Sequence, residues 1–249
     1  MESKFKLPTE SVELPSKGLL YSKDSPLSDG TIEMKYMTAR EEDILTNQNY
    51  IRNGTVIDRL LKSLVVTEGF NYNELLIGDK NAVMLAARIL AYGKDYEITY
   101  QDKKYTVDLS KLNTIVGDDD LYEKGENNFS FTLPHTDNTV TFKLLTHGDE
   151  KQIEREIEGL KKLNKEGSFD VTTRLKYMIT SVNGLTEKKD IREFVDNFLL
   201  AKDARELRRR YIAVQPDVEF KFTHTDEIGR EEEVPLAIGL DFFWPDAWV

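Results

Sequence analysis

The chain has no cysteine, which excludes disulfides and thiolate metal sites. A reducing cytoplasm suits such a chain. No apolar run approaches the ~20 residues that a membrane-spanning helix needs, so membrane insertion is not expected. The opening stretch MESKFKLPTESVELPSKG lacks the apolar segment of a secretory signal. Bases are in short supply: 34 Lys and Arg face 45 Asp and Glu, for a net charge of −11. A general nucleic-acid binder shows a basic footprint, so nucleic acid is not an expected partner. Histidine is scarce, and His135, His147 and His224 are too scattered along the chain to suggest a ligand cluster.

The signatures of catalysis are missing as well. There is no G-x-G-x-x-G, P-loop, H-E-x-x-H, G-x-S-x-G or EF-hand loop. Asp118–Asp120 place three carboxylates side by side, but without the ligand spacing or turn glycine of a calcium loop. They read as solvated charge. No acid pair stands out for glycoside hydrolysis. The chain therefore reads as a non-enzymatic protein with no cofactor and no metal.

Alternating strands and periodic helices are present. TIEMKYM alternates Ile32, Met34 and Tyr36 with charged residues and predicts a half-buried strand. Thr38 with Glu41, and Thr55 with Asp58, match the capping-box pattern at two helix starts. Asp79 is placed to cap a third helix, KNAVMLAARILAYG, which is apolar almost all round except for Arg88. DYEITYQDKKYTVDLS predicts a hairpin turning near Gln101–Lys103, and NFSFTLPHTDNTVTFKLL a second turning near Asp137–Asn138. The polar segment between them reads as a loop. Helices then return at EKQIEREIEGLKKLNKEG, at VTTRLKYMITSVNG and at EKKDIREFVDNFLLAKDARELRRRYI. VEFKFTH and REEEVPLAIG close the pattern as a terminal hairpin.

No regular βαβ alternation appears, so the expected class is α+β, with helical blocks each followed by antiparallel hairpins. The expected organisation is an extended arm at 1–30 and a helical block with one strand at 31–95. A hairpin region at 96–146 follows, then C-terminal helices with a terminal hairpin and an aromatic tail at 147–249. The arm holds Pro8, Pro15 and Pro26, and is expected to order only on assembly.

Three features point to partners. Ile153, Ile157 and Leu160, with Leu163 at the margin, form a stripe of about two apolar residues per heptad. It fits either a solvated helix on the rim of its own domain or a seam for a partner helix. Arg205, Arg208, Arg209 and Arg210 form the densest basic cluster. They fit either cations answering a helix C-terminal dipole or a dock for an acidic surface. The last six residues hold both tryptophans, Trp244 and Trp248, directly after Phe242 and Phe243. A large aromatic ring can bury ~150–250 Å². Phe242, Phe243 and Trp244 are therefore expected to anchor the tail on the main body, leaving Trp248 for a neighbour.

As a set, these stretches resemble the baseplate hub proteins of T4-type contractile-tailed bacteriophages. The resemblance rests on VELPSKGLLY, GTIEMKYMTAREEDILTN, TVIDRLLKSLV, AARILAYGKDY, TFKLLTHGDEKQIE, TTRLKYMITSVNG, IREFVDNFLLAKDAREL and DFFWP, in order along the chain. It implies a structural part of the tail baseplate hub, assembled in the host cytoplasm by docking to other baseplate and hub proteins, with self-association a further option. A transient hub-assembly factor is the alternative, and a hub-associated wall-degrading enzyme a third. Some relatives carry Cys pairs in the hairpins equivalent to EITYQDKKYTVDL and EFKFTHTDEIGREEEV. Tyr100, Gln101, Thr223 and His224 stand there in this chain, so these hairpins are expected to hold by pairing and packing alone.

Overall fold

The computed structural model describes residues 7–116, 121–226 and 228–243. Its class is α+β, with short antiparallel pairings set among helices. β1 (Thr9–Glu13) pairs with β2 (Thr31–Lys35). Then come α1 (Ala39–Leu45), α2 (Gln48–Arg52), α3 (Val56–Leu64) and α4 (Ile77–Tyr92). β3 (Asp95–Tyr100) and β4 (Lys103–Asp108) form the first hairpin. β5 (Thr114–Ile115) lies in the segment read as loop; it pairs with β9 (Asp217–Val218) from far along the chain. β6 (Phe129–Thr132) and β7 (Thr139–Phe142) form the second hairpin. α5 (His147–Leu163) and α6 (Asp170–Met178) lead to β8 (Ile179–Val182), which adds to β7 as a third strand. α7 (Lys188–Asn197), α8 (Ala201–Val214), the hairpin β10 (Lys221–Thr225)–β11 (Glu231–Pro235) and α9 (Leu240–Phe243) complete the chain.

Local chemistry explains the hairpins. Gln101 and Asp102 both take positive φ, +49° and +59°, the primed geometry that matches strand twist in a two-residue turn. In the second hairpin Asp137, at φ +55°, closes a longer loop, and its N–H donates to the Leu133 carbonyl at 2.9 Å. The cap of α1 is also as read: the Thr38 N–H and hydroxyl both donate to the Glu41 carboxylate, at 3.0 and 2.6 Å.

Two helices predicted as continuous are broken. The apolar residues Leu175, Met178, Ile179 and Val182 suit one helical face, but the helix stops at Met178. Ile179–Val182 extends because β7 offers it a ladder. The long stretch 187–212 divides at Phe198–Leu200 into α7 and α8.

The segment expected as an arm is docked along the body from residue 7 onward. Leu14, Leu20, Tyr21 and Leu27 are buried, and β1 is held in register on β2. The turn that follows needs glycine at residue 18, with φ +74°. A Cβ there would lie 2.5 Å from the backbone nitrogen of Gly30. Asp79 is the anchor. It is not the cap of α4, which begins at Ile77; it lies inside the first turn and is fully buried. Ser16 donates its N–H to Asp79 Oδ1 at 2.9 Å and its hydroxyl to Oδ2 at 2.7 Å. Tyr21 donates to Oδ2 at 2.6 Å and accepts from the Leu76 N–H at 2.9 Å. Burial pushes the Asp79 carboxyl above the usual carboxylate range, against the pull of the Tyr21 and Ser16 donors. Asp79→Ala would strand these donors, each at a cost of about 1–3 kcal/mol when buried. We expect trypsin to cut the variant at Lys17 and Lys23 several-fold faster than wild type. Equal cleavage rates would show that strand pairing alone holds the segment.

A hydrophobic cluster runs from Leu14 through Leu60, Val83, Phe142, Ile153 and Leu207 to Phe243, joining all four segments named from the sequence. α4 runs beside β1, β9, α3 and α9. Its Gly78 permits the closest approach: a Cβ there would lie 1.8 Å from the Pro216 carbonyl oxygen. The buried Arg88 closes the other end of α4. It donates to the carbonyls of Gly93 at 2.9 Å and Asp95 at 3.4 Å, with its guanidinium over Tyr92 and Tyr96.

Candidate partner-docking groove

The narrow stripe of α5 is not a free seam. Ile153 is 0% and Ile157 6% exposed in the subunit itself, and Leu160 is half-buried. α6 and the turn at Tyr72–Glu74 pack against α5. Polar contacts widen what the stripe lacks. Glu156 takes a two-pronged bond from Arg192 of α7, both arms 2.7 Å, and a third from Tyr177 at 3.0 Å. Arg174 of α6 pairs with Glu150. The expectation that Ile153 and Ile157 meet a partner is therefore corrected: neighbouring helices of the same chain already cover them. Leu163, at the C-terminal end of α5, is 87% exposed.

The arginine cluster also sits elsewhere than expected. Arg205–Arg210 occupy the middle of α8, and the last turn of α8 carries no base. The helix-dipole reading fails, since that effect is confined to the terminal turn. Arg205, Arg208 and Arg209 are exposed and Arg210 is half-buried. Arg209 pairs with Glu206 at 2.9 Å, whereas Arg205, Arg208 and Arg210 make no ion pair with a described residue.

Arg208 stands on the rim of an apolar groove between α6 and α8. The groove encloses about 290 Å³. Leu145, Leu175 and Met178 line its floor, and Val171 and Ile212 its open walls. Val171 is 52% and Ile212 69% exposed. Tyr211 fixes the base: its hydroxyl accepts from the Leu145 N–H at 3.0 Å, and its ring lies 6.3 Å from Phe142. Burial pushes the Tyr211 phenol up to about 12, so it stays neutral. Asp170 and the Arg174–Glu150 pair complete the rim. Sequence reading missed this groove, although it left a signal. Ile212 is an apolar residue out of phase with the buried stripe Ala204–Leu207–Val214 of α8, and Val171 extends the Leu175–Met178 face of α6 past its buried part.

The tail divides at the limit of the described residues. Phe242 and Phe243 are fully buried. The Phe242 ring meets Tyr96 at 5.1 Å, Phe243 at 5.2 Å and Phe220 at 6.2 Å, all edge-on. Trp244, Trp248 and the Asp118–Asp120 run lie outside the described residues.

The three histidines do not converge. The His135 N–H donates to the buried Asp203 at 3.0 Å, and Thr136 adds a 2.8 Å bond, tying the second hairpin to α8. His224 Nδ1 lies 2.9 Å from the Tyr105 hydroxyl. Tyr100, Tyr105, Phe222 and His224 stack between the two outer hairpins, with ring centroids 5.1–6.0 Å apart. Thus aromatic packing joins these two hairpins. Among the described residues no group of three or more His, Asp or Glu side chains is placed to hold a metal.

His147 belongs to a polar knot around Asp58, the residue read as a capping partner of Thr55. Thr55 makes no side-chain cap. Asp58 instead meets Lys80 at 3.2 Å, Lys151 at 3.1 Å, His147 Nε2 at 3.1 Å and the Tyr72 hydroxyl at 3.1 Å. The knot ties α3, α4 and α5 to the Tyr72 turn. Burial alone would raise the Asp58 carboxyl, but His147, Lys80 and Lys151 outweigh it and hold it well below the usual carboxylate range. A depressed folded-state pKa gives stability that is present above the unfolded pKa and lost as pH falls through the folded one. Asp58→Asn is expected to cost about 2 kcal/mol at neutral pH, since bonds to charged groups are worth about 1.5–3 kcal/mol and the lysines are partly solvated. Its urea midpoint should then fall less than that of wild type between about pH 5 and pH 2. Parallel pH profiles would remove Asp58 as an acid-sensitive anchor.

The described residues thus combine acids that hold elements together, Asp79 and Asp203 buried and Asp58 half-buried, with an open apolar groove beside unpaired arginines. No curated protein matches the chain, and no solved structure does. A family model described as T4 bacteriophage base plate protein matches residues 9–244, from the first residue of β1 to the residue after α9. Because that match spans nearly the whole chain, the protein belongs to the T4 bacteriophage base plate protein family.

Proposed function

We propose that the chain is a non-enzymatic structural component of the baseplate hub, acting by ordered docking to other baseplate and hub proteins during tail assembly in the host cytoplasm. The observation that carries this reading is the groove between α6 and α8. It joins exposed apolar walls to Arg208, with Arg205 on the same face of α8, and neither makes an ion pair with a described residue. Acids withdrawn from full solvent exposure are engaged in structural duty. Asp79 holds the N-terminal segment, Asp203 a hairpin and Asp58 a helix junction. The groove is of side-chain size, at the low end of the ~300–1,000 Å³ of small-molecule pockets.

Quantitative mass spectrometry of purified virions and of tail-assembly intermediates tests the reading. A hub component is expected in both, at a fixed ratio to other baseplate proteins. Presence in intermediates and absence from virions would make it an assembly factor instead. Wall-degrading activity of the purified chain in a zymogram would overturn the non-enzymatic reading.

A further inference from the structure

We infer that the α6–α8 groove receives one acidic amphipathic helix of a neighbouring baseplate protein, with carboxylates on the side that faces α8. The inference deepens the docking role proposed above and rests on it.

The geometry of the groove sets the chemistry of its occupant. Its walls are helices, its floor is apolar, and its volume of about 290 Å³ suits a few side chains. A helix laying apolar residues into such a cleft through i, i+3, i+4 anchors is a recurring recognition mode. The exposed apolar walls reduce to Val171 and Ile212. That is far short of the ~800 Å² per partner that a stable interface between whole subunits buries, so a single segment fits better than a second copy.

Charge gives the orientation. Arg205 and Arg208 precede Ile212 by seven and four residues, so all three share one face of α8. Arg205 to Ile212 spans roughly 10 Å along the helix. A partner helix with its apolar anchor at Ile212 would bring carboxylates one and two turns away against both arginines. The opposite wall begins at Asp170, which would repel those carboxylates. The groove is thus positive on one wall and negative at the start of the other, and such asymmetry fixes register. Duplex DNA suits it poorly, because the floor is apolar and the rim carries Asp170 and Glu150.

The test uses the full-length chain and fluorescein-labelled peptides of about 20 residues, long enough for helix, tiled across the tail proteins of the same phage. Binding is read by fluorescence anisotropy. We expect at least one acidic amphipathic peptide to bind. Ile212→Asp and Val171→Asp should each weaken it at least about tenfold, as loss of a central apolar anchor does. Arg205→Glu with Arg208→Glu should weaken it comparably at low salt and less at high salt, where screening shortens the reach of charge. Melting temperatures should stay at the wild-type value, because all four side chains are exposed.

Three results would overturn the proposal: no acidic peptide binds, binding ignores the arginine reversals, or a labelled DNA duplex binds and is lost with them. Self-association of the chain that Ile212→Asp abolishes would assign the groove to a second copy and overturn it too. Absence of peptide binding in a protein that virions contain sinks the groove proposal alone. Peptide binding by a chain absent from virions supports the groove and removes only the hub placement.

Discussion

Replacing Ile153 by aspartate should unfold the isolated subunit. Ile153 is completely buried between α5 and the elements packed on it. The substitution removes a buried aliphatic side chain worth about 1.5–3 kcal/mol. It also places a carboxylate where no cation awaits it, and burying one ion costs several kcal/mol even after relaxation. The total is comparable with a whole domain's net stability of about 5–15 kcal/mol. Circular dichroism of the purified variant should show no cooperative melt near the wild-type temperature. Leu163→Asp is the matched control on the same helix. At 87% exposure it should change stability by no more than about 0.5 kcal/mol. A well-folded Ile153→Asp subunit that fails only in assembly would return α5 to the role of a partner seam.

Truncating the buried ring of Phe242 to alanine should cost about 3–5 kcal/mol. Phe242 is enclosed by Tyr96 at the start of β3, Phe220 before β10, and Phe243 beside it. It therefore locks both outer hairpins onto the end of α4, and its loss leaves a cavity where three separate segments meet. For a chain of this length 1 kcal/mol shifts the melting temperature by about 2–4 °C, so the drop should be roughly 6–20 °C. Phe242→Ala with Phe243→Ala should not give the sum of the single losses, because the two rings touch. Differential scanning calorimetry of the three variants measures both effects. A melting temperature unchanged within a degree or two would mean that α9 is not part of the folded core.

Both variants show where sequence reading stops. The class, the β3–β4 and β6–β7 hairpins and the first helix cap were legible, because each depends on residues a few positions apart. The Gln101–Asp102 turn and the Thr38–Glu41 cap need no distant partner. The family-level resemblance was legible too, since it rests on the order of many short stretches, and the family model covers residues 9–244.

The acids were misread for one shared reason. Thr55 with Asp58, and Asp79 before an apolar run, look like helix starts when only neighbours are considered. Asp58 is instead claimed by Lys80, His147 and Lys151, and Asp79 by Ser16 and Tyr21. A carboxylate takes whichever donors the fold delivers, and those donors lie 22 to 93 residues from Asp58 and 58 to 63 from Asp79.

By itself the sequence determined the repeating local units: which stretches alternate, which turn, and which present an apolar face. Those properties follow from dihedral preference and periodicity over fewer than about ten residues. Tertiary structure alone decided what covers each face. It turned Ile179–Val182 from a possible helical turn into a strand by supplying β7. It buried the narrow stripe of α5 under α6 and drew the supposed N-terminal arm onto Asp79. It also left Val171 and Ile212 uncovered beside Arg208. Burial is a property of pairs of surfaces, and the second surface of each pair comes from a distant part of the chain.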